Sequence, residues 1–200
     1  MSAANYQKVT FILSAASVKQ LPLDEGIEVA FVGRSNAGKS SALNALTNQK
    51  KLAKISKTPG RTQLINLFAL TEDKRLVDLP GYGFAKVPEE IKRKWQLLLD
   101  TYLKNRHCLQ GLILLMDIRH PMQTFDRQMI EWAAFADLPI HILLTKADKL
   151  SKGARNNALF TVQKELKILP GKLSVQLFSS QEQIGREELI AHLDSWFDFE

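Results

Sequence analysis

The chain has 200 residues, 45% of them hydrophobic and 24% charged, which suffices for one α/β core and shows none of the compositional bias of disordered or fibrous chains. Its 27 Lys and Arg against 21 Asp and Glu give a formal charge of +6. No apolar run reaches the ~20 residues of a bilayer span, Met1 to Lys8 lack the apolar stretch of a secretory signal, and the single cysteine, Cys108, excludes an internal disulfide or a cysteine-built zinc site. A cytoplasmic, single-domain protein is expected, with residues 1–25 as an N-terminal extension packed on or near the domain.

In chain order, Glu28 to Val32 is a short apolar run of strand character, and Gly33-Arg34-Ser35-Asn36-Ala37-Gly38-Lys39-Ser40 follows it. This matches G-x-x-x-x-G-K-[ST]. Glycines at both ends let the backbone fold round an anion with consecutive N–H groups pointing inward. Lys39 then reaches the β and γ phosphates of a nucleotide and the Ser40 hydroxyl ligates Mg²⁺. A helix starting near Gly38 adds its positive dipole end and runs through Ser41 to Leu46, ending near Asn48. No acidic residue occurs from Val29 to Thr71, while Lys50, Lys51, Lys54, Lys57 and Arg61 cluster in a loop that Pro59-Gly60 keeps irregular.

Leu64 to Leu70 and Arg75 to Asp78 are expected to pair as a β-hairpin around Glu72-Asp73-Lys74. The second of these strands ends in Asp78-Leu79-Pro80-Gly81. There a carboxylate can hold the Mg²⁺ shell and the Gly81 N–H can meet a γ phosphate. A second basic group, Lys86, Lys92, Arg93 and Lys94, leads into a helix from Pro88 to about Lys104 whose inner face carries Ile91, Trp95, Leu98, Leu99 and Tyr102. Two basic clusters beside one phosphate site point to a polyanionic partner.

Gly111 to Asp117 is a continuous apolar run up to its closing aspartate, the pattern of a parallel strand covered on both faces. Thr124 to about Ala136 reads as a helix, Ile140 to Leu144 as a buried strand, Ser151 to Leu169 as a helix stopped by Pro170-Gly171, Ser174 to Phe178 as the last strand and Glu187 to Phe197 as a closing helix. Alternating strands and helices imply an open sheet whose ligand lies at the carboxyl ends of the strands. At two further strand ends stand Thr145-Lys146-Ala147-Asp148 and Phe178-Ser179-Ser180-Gln181. The Asp148 carboxylate can accept from guanine N1–H and N2–H₂, a donor pair adenine lacks; Lys146 can lie along the base, and the Ser180 N–H can read guanine O6. The histidines 107, 120, 141 and 192 have no metal-ligand spacing and read as structural or surface residues.

As an ordered set these motifs resemble the translation-factor-like GTPases. Finer details are similar to the bacterial EngB (YihA/YsxC) family: G-R-S-N-A-G-K-S, K-T-P-G-R-T-Q at Lys57 to Gln63, D-L-P-G-Y-G-F-A at Asp78 to Ala85 and L-L-T-K-A-D-K-L at Leu143 to Leu150. The resemblance implies a three-layer P-loop GTPase fold, with a mostly parallel central sheet, one antiparallel hairpin strand and helices on both faces. It implies GTP/GDP binding through residues 33–41, Gly60, Arg61, Thr62, Asp78, Gly81, Thr145, Lys146, Asp148, Ser179 and Ser180. Mg²⁺ would be held by Ser40, Thr62 and Asp78, with Lys39, Thr62 and Gly81 acting on the γ phosphate; Thr58 lies in the same loop, but G-R-T-Q favours Thr62.

The family resemblance further implies a monomeric switch, not membrane-bound, in assembly of the large ribosomal subunit, with a link to cell division and septation. The basic loops would contact ribosomal RNA. Tyr82 stands where Ras-like proteins carry a water-orienting glutamine, so slow intrinsic hydrolysis is expected. Asn36 either binds K⁺, as in related GTPases with asparagine there, or shapes the loop through its own backbone. The alternative function is a GTP-dependent signalling or scaffold protein with protein effectors and little hydrolysis; Cys108 and the terminal Asp198-Phe199-Glu200 offer it no lipidation signal.

Overall fold

A computed structural model describes residues 4–53, 64–82 and 89–199. Gly60, Arg61 and Thr62, with Thr58, Lys54, Lys57, Lys86 and Pro88, lie outside the described residues, as do the side chains of Ile91, Lys92 and Trp95. The strands are β1 (Thr10–Ala15), β2 (Ile27–Gly33), β3 (Ile65–Ala69), β4 (Lys74–Asp78), β5 (Leu109–Asp117), β6 (Ile140–Thr145) and β7 (Leu173–Leu177). The helices are α1 (Lys39–Thr47), α2 (Glu89–Asn105), α3 (Thr124–Phe135), α4 (Lys152–Leu166) and α5 (Arg186–Trp196).

These strands form one sheet in the order β1-β3-β4-β2-β5-β6-β7. β3 alone runs against the rest, pairing antiparallel with β4 on one side and β1 on the other. The remaining pairs are parallel. This is the expected sheet, with one addition. β1 joins the edge as a strand, whereas the sequence suggests only an extension near the domain. Its apolar residues do not alternate because a bulge sits between Phe11 and Leu13, so the period-two signal of a half-buried strand is lost.

β5 shows why a continuous apolar run was needed. Leu112, Leu114 and Met116 pack on one face with Tyr102 and Leu103 of α2, Met129 and Ile130 of α3 and Val162 and Leu166 of α4. Ile113 and Leu115 pack on the other face with Leu43 and Leu46 of α1 and Leu189 and Leu193 of α5. Each fully buried side chain of this kind contributes about 1.5–3 kcal/mol. The stabilisation falls on the central strands, whose carboxyl ends carry the motif loops. α4 ends at Leu166, three residues short of the expected Leu169, because Lys167 to Leu169 turn more tightly through bonds from Ile168 N to Glu165 O and Leu169 N to Leu166 O.

A buried polar lock ties the amino ends of β2 and β5 together. The fully buried Glu28 carboxylate accepts from Arg106 Nε at 3.0 Å and Nη2 at 2.6 Å and from the Tyr102 hydroxyl at 2.8 Å. Arg106 also donates to the carbonyls of Pro22 and Leu23, so the segment before β2 is stitched to the end of α2. Cys108 beside it is a free, buried thiol whose pKa burial pushes up.

Candidate nucleotide site

The phosphate loop is placed by the close approach of β2 to β5. A Cβ at Gly33 would lie 2.6 Å from the Leu115 carbonyl oxygen, so only glycine lets the chain leave the sheet there. Gly38 has φ +99° and caps α1 with no side-chain hydrogen bond. The first N–H groups of α1 are therefore left without a side-chain cap at the mouth of the loop, where an anion is favoured. Thr145 anchors the loop from β6, its hydroxyl donating to Ala37 O at 2.7 Å and Met116 O at 3.0 Å. Thr145 thus shapes the loop through its backbone.

Lys39 reaches back over the loop to Gly81, where an added Cβ would be 3.1 Å from its Nζ. Asp78 at the end of β4 is buried; one carboxylate oxygen accepts weakly from Asn66 Nδ2 at 3.5 Å, and the other, Oδ1, has no hydrogen-bond partner among the described residues. Burial raises the Asp78 pKa and lowers that of Lys39, each opposed by the charge of the other. A buried carboxylate oxygen without a partner is costly. Its position beside a lysine and a bare helix N-terminus fits a hydrated cation with phosphate.

Tyr82 is fixed twice. Its carbonyl accepts from Ser35 N at 2.8 Å and its N–H donates to Gly33 O at 3.3 Å, zipping the chain after Gly81 to the phosphate loop. Its hydroxyl donates to Asp126 Oδ1 at 2.7 Å at the start of α3. The phenol is thereby committed to Asp126, consistent with the loss of a side chain free to orient water at this position.

At the far end, Asp148 sits in a short helical turn, Ala147–Lys149, after β6. Its Oδ1 accepts from Ser179 Oγ at 2.6 Å and its Oδ2 pairs with Lys149 Nζ at 3.0 Å. The Ser179 bond leads the effects that lower its pKa, so the carboxylate is charged and acceptor-only. Ser179 is buried and orients Asp148, while the Ser179 N–H to Ile184 O bond closes the loop that carries Ser180.

Four residues not singled out in the sequence, Asp117, Arg119, Asp126 and Arg186, complete the site. Asp117, at the end of β5, pairs with Lys146 Nζ at 2.9 Å and accepts from Arg119 Nε at 2.9 Å and Nη2 at 2.7 Å. Burial works against its charge, but the bonds from Arg119 and Lys146 win and hold its pKa well below the carboxylate range. Asp117, Asp126, Lys146 and the phosphate loop enclose a cleft of about 150 Å³. Arg186, the first residue of α5, donates from Nε to Ala45 O at 2.8 Å and from Nη2 to Leu46 O at 2.9 Å, satisfying the last carbonyls of α1. Ser40, Asn36 and Ser41 lie at the loop as expected. Gly60, Arg61 and Thr62 cannot be placed, being outside the described residues.

Residues 28–146 match the family model described as a 50S ribosome-binding GTPase. A probable GTP-binding protein EngB of Mannheimia succiniciproducens is 59% identical over 193 residues, 96% of this chain and 94% of that one. One of Escherichia coli O157:H7 is 58% identical over 198 residues, 99% of this chain and 94% of that one. A crystal structure of a probable GTP-binding protein engB aligns over 86% of this chain and all of that one, with a TM-score of 0.69 at 19% identity. Era in complex with MgGDPNP and a stretch of 16S ribosomal RNA aligns over 86% of this chain and 57% of that one, with a TM-score of 0.67 at 19% identity. With the phosphate loop, the D-x-x-G turn and the T-K-x-D turn gathered at one edge of a P-loop GTPase sheet, the chain belongs to the EngB family of GTP-binding proteins, a family of GTPases.

Proposed function

We propose that this chain is a Mg²⁺-dependent, slowly hydrolysing GTP switch acting in assembly of the large ribosomal subunit, and through it in normal cell division and septation. The observation that carries the nucleotide reading is the buried Asp78 oxygen without a partner among the described residues, close enough to Lys39 to feel its charge, in a site whose other end is the Asp148 carboxylate. Residues 33–41 hold the phosphates. Asp148, Lys146 and the Ser180 N–H read the guanine, with Ser179 and Thr145 setting their positions. Ser40 and Asp78 fit Mg²⁺, joined by Thr62 on the family resemblance; when bound, the ion neutralises phosphate charge. Among the described residues no group of three or more His, Cys, Asp or Glu could hold a metal, so such an ion depends on Ser40, phosphate and water for most of its shell. Gly60 and Arg61 flank the nucleotide in this reading, and K⁺ beside Asn36 supplies charge that a glutamine in place of Tyr82 would not.

The ribosomal partner is supported by the family model's description and by the basic loop that follows α1, in a stretch from Val29 to Thr71 without a carboxylate. No helix among the described residues is long and apolar enough to cross a membrane, and a monomeric, cytoplasmic protein of one GTPase domain that includes residues 1–25 fits these features. Sedimentation with purified large subunits tests the reading. Binding with a non-hydrolysable GTP analogue should exceed binding with GDP and fall with salt; equal retention under both nucleotides overturns the switch.

A further inference from the structure

Asp117 and Arg119 lie outside every motif assigned to the nucleotide, yet Asp117 holds the lysine beside the guanine-reading aspartate. Asp117 is opposite Thr145 in the β5–β6 register, and the next residue, Lys146, has φ +59°. This left-handed turn is unfavourable for a side-chain-bearing residue. It brings the Lys146 ammonium to 2.9 Å from Asp117 Oδ2. Arg119 grips the same carboxylate with its fork, and its backbone N–H donates to Oδ1 at 3.1 Å. Asp117 is 18% exposed, against 44% for Arg119 and 32% for Lys146, so the carboxylate is the enclosed member.

Three cations, Arg119, Lys146 and Lys149, therefore surround two carboxylates, Asp117 and Asp148. Asp117 takes two of them. Among the described residues Asp148 keeps Lys149 and Ser179, and Arg119 still lies close enough to feel its charge. If Asp117 lost its charge, both released cations would be drawn to Asp148, where they would compete with the guanine N1–H and N2–H₂ donors. The Lys146 stem would also lose the fixed end that lays it beside the base. We propose that Asp117 is a positioning and specificity residue: it sequesters Lys146 and Arg119 so that Asp148 meets guanine with open acceptors. The proposal rests on the family reading that Asp148 binds guanine.

Calorimetric titration of GDP, GTP and IDP, whose base lacks the 2-amino group, tests it. Asp117→Asn should weaken GDP and GTP by the same factor, about fivefold, because the γ phosphate lies at the other end of the site. It should also narrow the preference for GDP over IDP, and Asp117→Glu should restore part of it. Arg119→Met removes an exposed side chain, so its folding is not in question. It should retain the preference, and added to Asp117→Asn it should recover part of the lost GDP affinity by deleting one freed cation. Equal losses of GDP and IDP with a lowered Tm, or GDP affinity unchanged in Asp117→Asn, would overturn the proposal. A wild-type chain that took up no guanine nucleotide would instead overturn the family reading beneath it.

Discussion

In the proposed reading Lys39 and Asp148 meet opposite ends of a nucleotide, and single substitutions separate the ends. Lys39→Ala removes a charge-assisted contact to the β and γ phosphates, worth about 2–3 kcal/mol; GTP affinity measured by calorimetry should fall about a hundredfold, with GMP far less affected. Asp148→Asn replaces a two-site acceptor with an amide whose nitrogen faces guanine donors, so GDP binding should weaken while binding of a xanthine nucleotide, with an acceptor at position 2, improves in the same assay. These residues were legible because each motif is local: a strand, a sharp turn and the start of a helix, all within a few residues. Asp126 and Arg186 were not, since their partners stand 44 and 141 positions away and only the assembled sheet brings them together. Ser179 could be picked out from its place after the last strand, but its bond to Asp148 could not.

Among the elements, β5 announced itself by a long apolar run and β6 by one interrupted only at His141, and the ends of most helices were legible from Pro, Gly and capping residues. β1 did not, because its bulge breaks the alternation that marks an edge strand. The lock around Glu28 is likewise invisible in sequence, as an arginine near a helix end reads as a solvated charge. Arg106→Met should leave the fully buried Glu28 carboxylate without its main partner. Chemical denaturation should then show a loss of about 3–5 kcal/mol. Replacing Lys94, which pairs with Glu90 on the exposed surface of α2, should leave the denaturation midpoint unchanged.

On the scale of the whole molecule, pH reaches the far face of the sheet through His141. Its ring is buried between Ser174 and Gln176, each 2.7 Å away, and stacks 3.9 Å from His192. Desolvation first, and then the charge His192 would carry, push its pKa from 6.5 down to about 4. The folded state thus holds His141 neutral where the unfolded chain would protonate it. The resulting stabilisation is complete above pH 6.5 and is lost as pH falls towards 4, about 3 kcal/mol in all. Equilibrium unfolding between pH 7 and pH 4 should show this decline, and His141→Gln should flatten it. The same Gln176 donates to Gly185 O, so loosening at His141 is felt by the loop that ends at α5.

Arg186 gives that loop a wider reach. Its guanidinium grasps the tail of α1, so the helix that follows the phosphate loop and the helix that follows the Ser179–Ser180 loop are joined directly. The two helices are thus fastened end to end, so a shift of α5 is handed to α1 through two bonds rather than through the sheet between them.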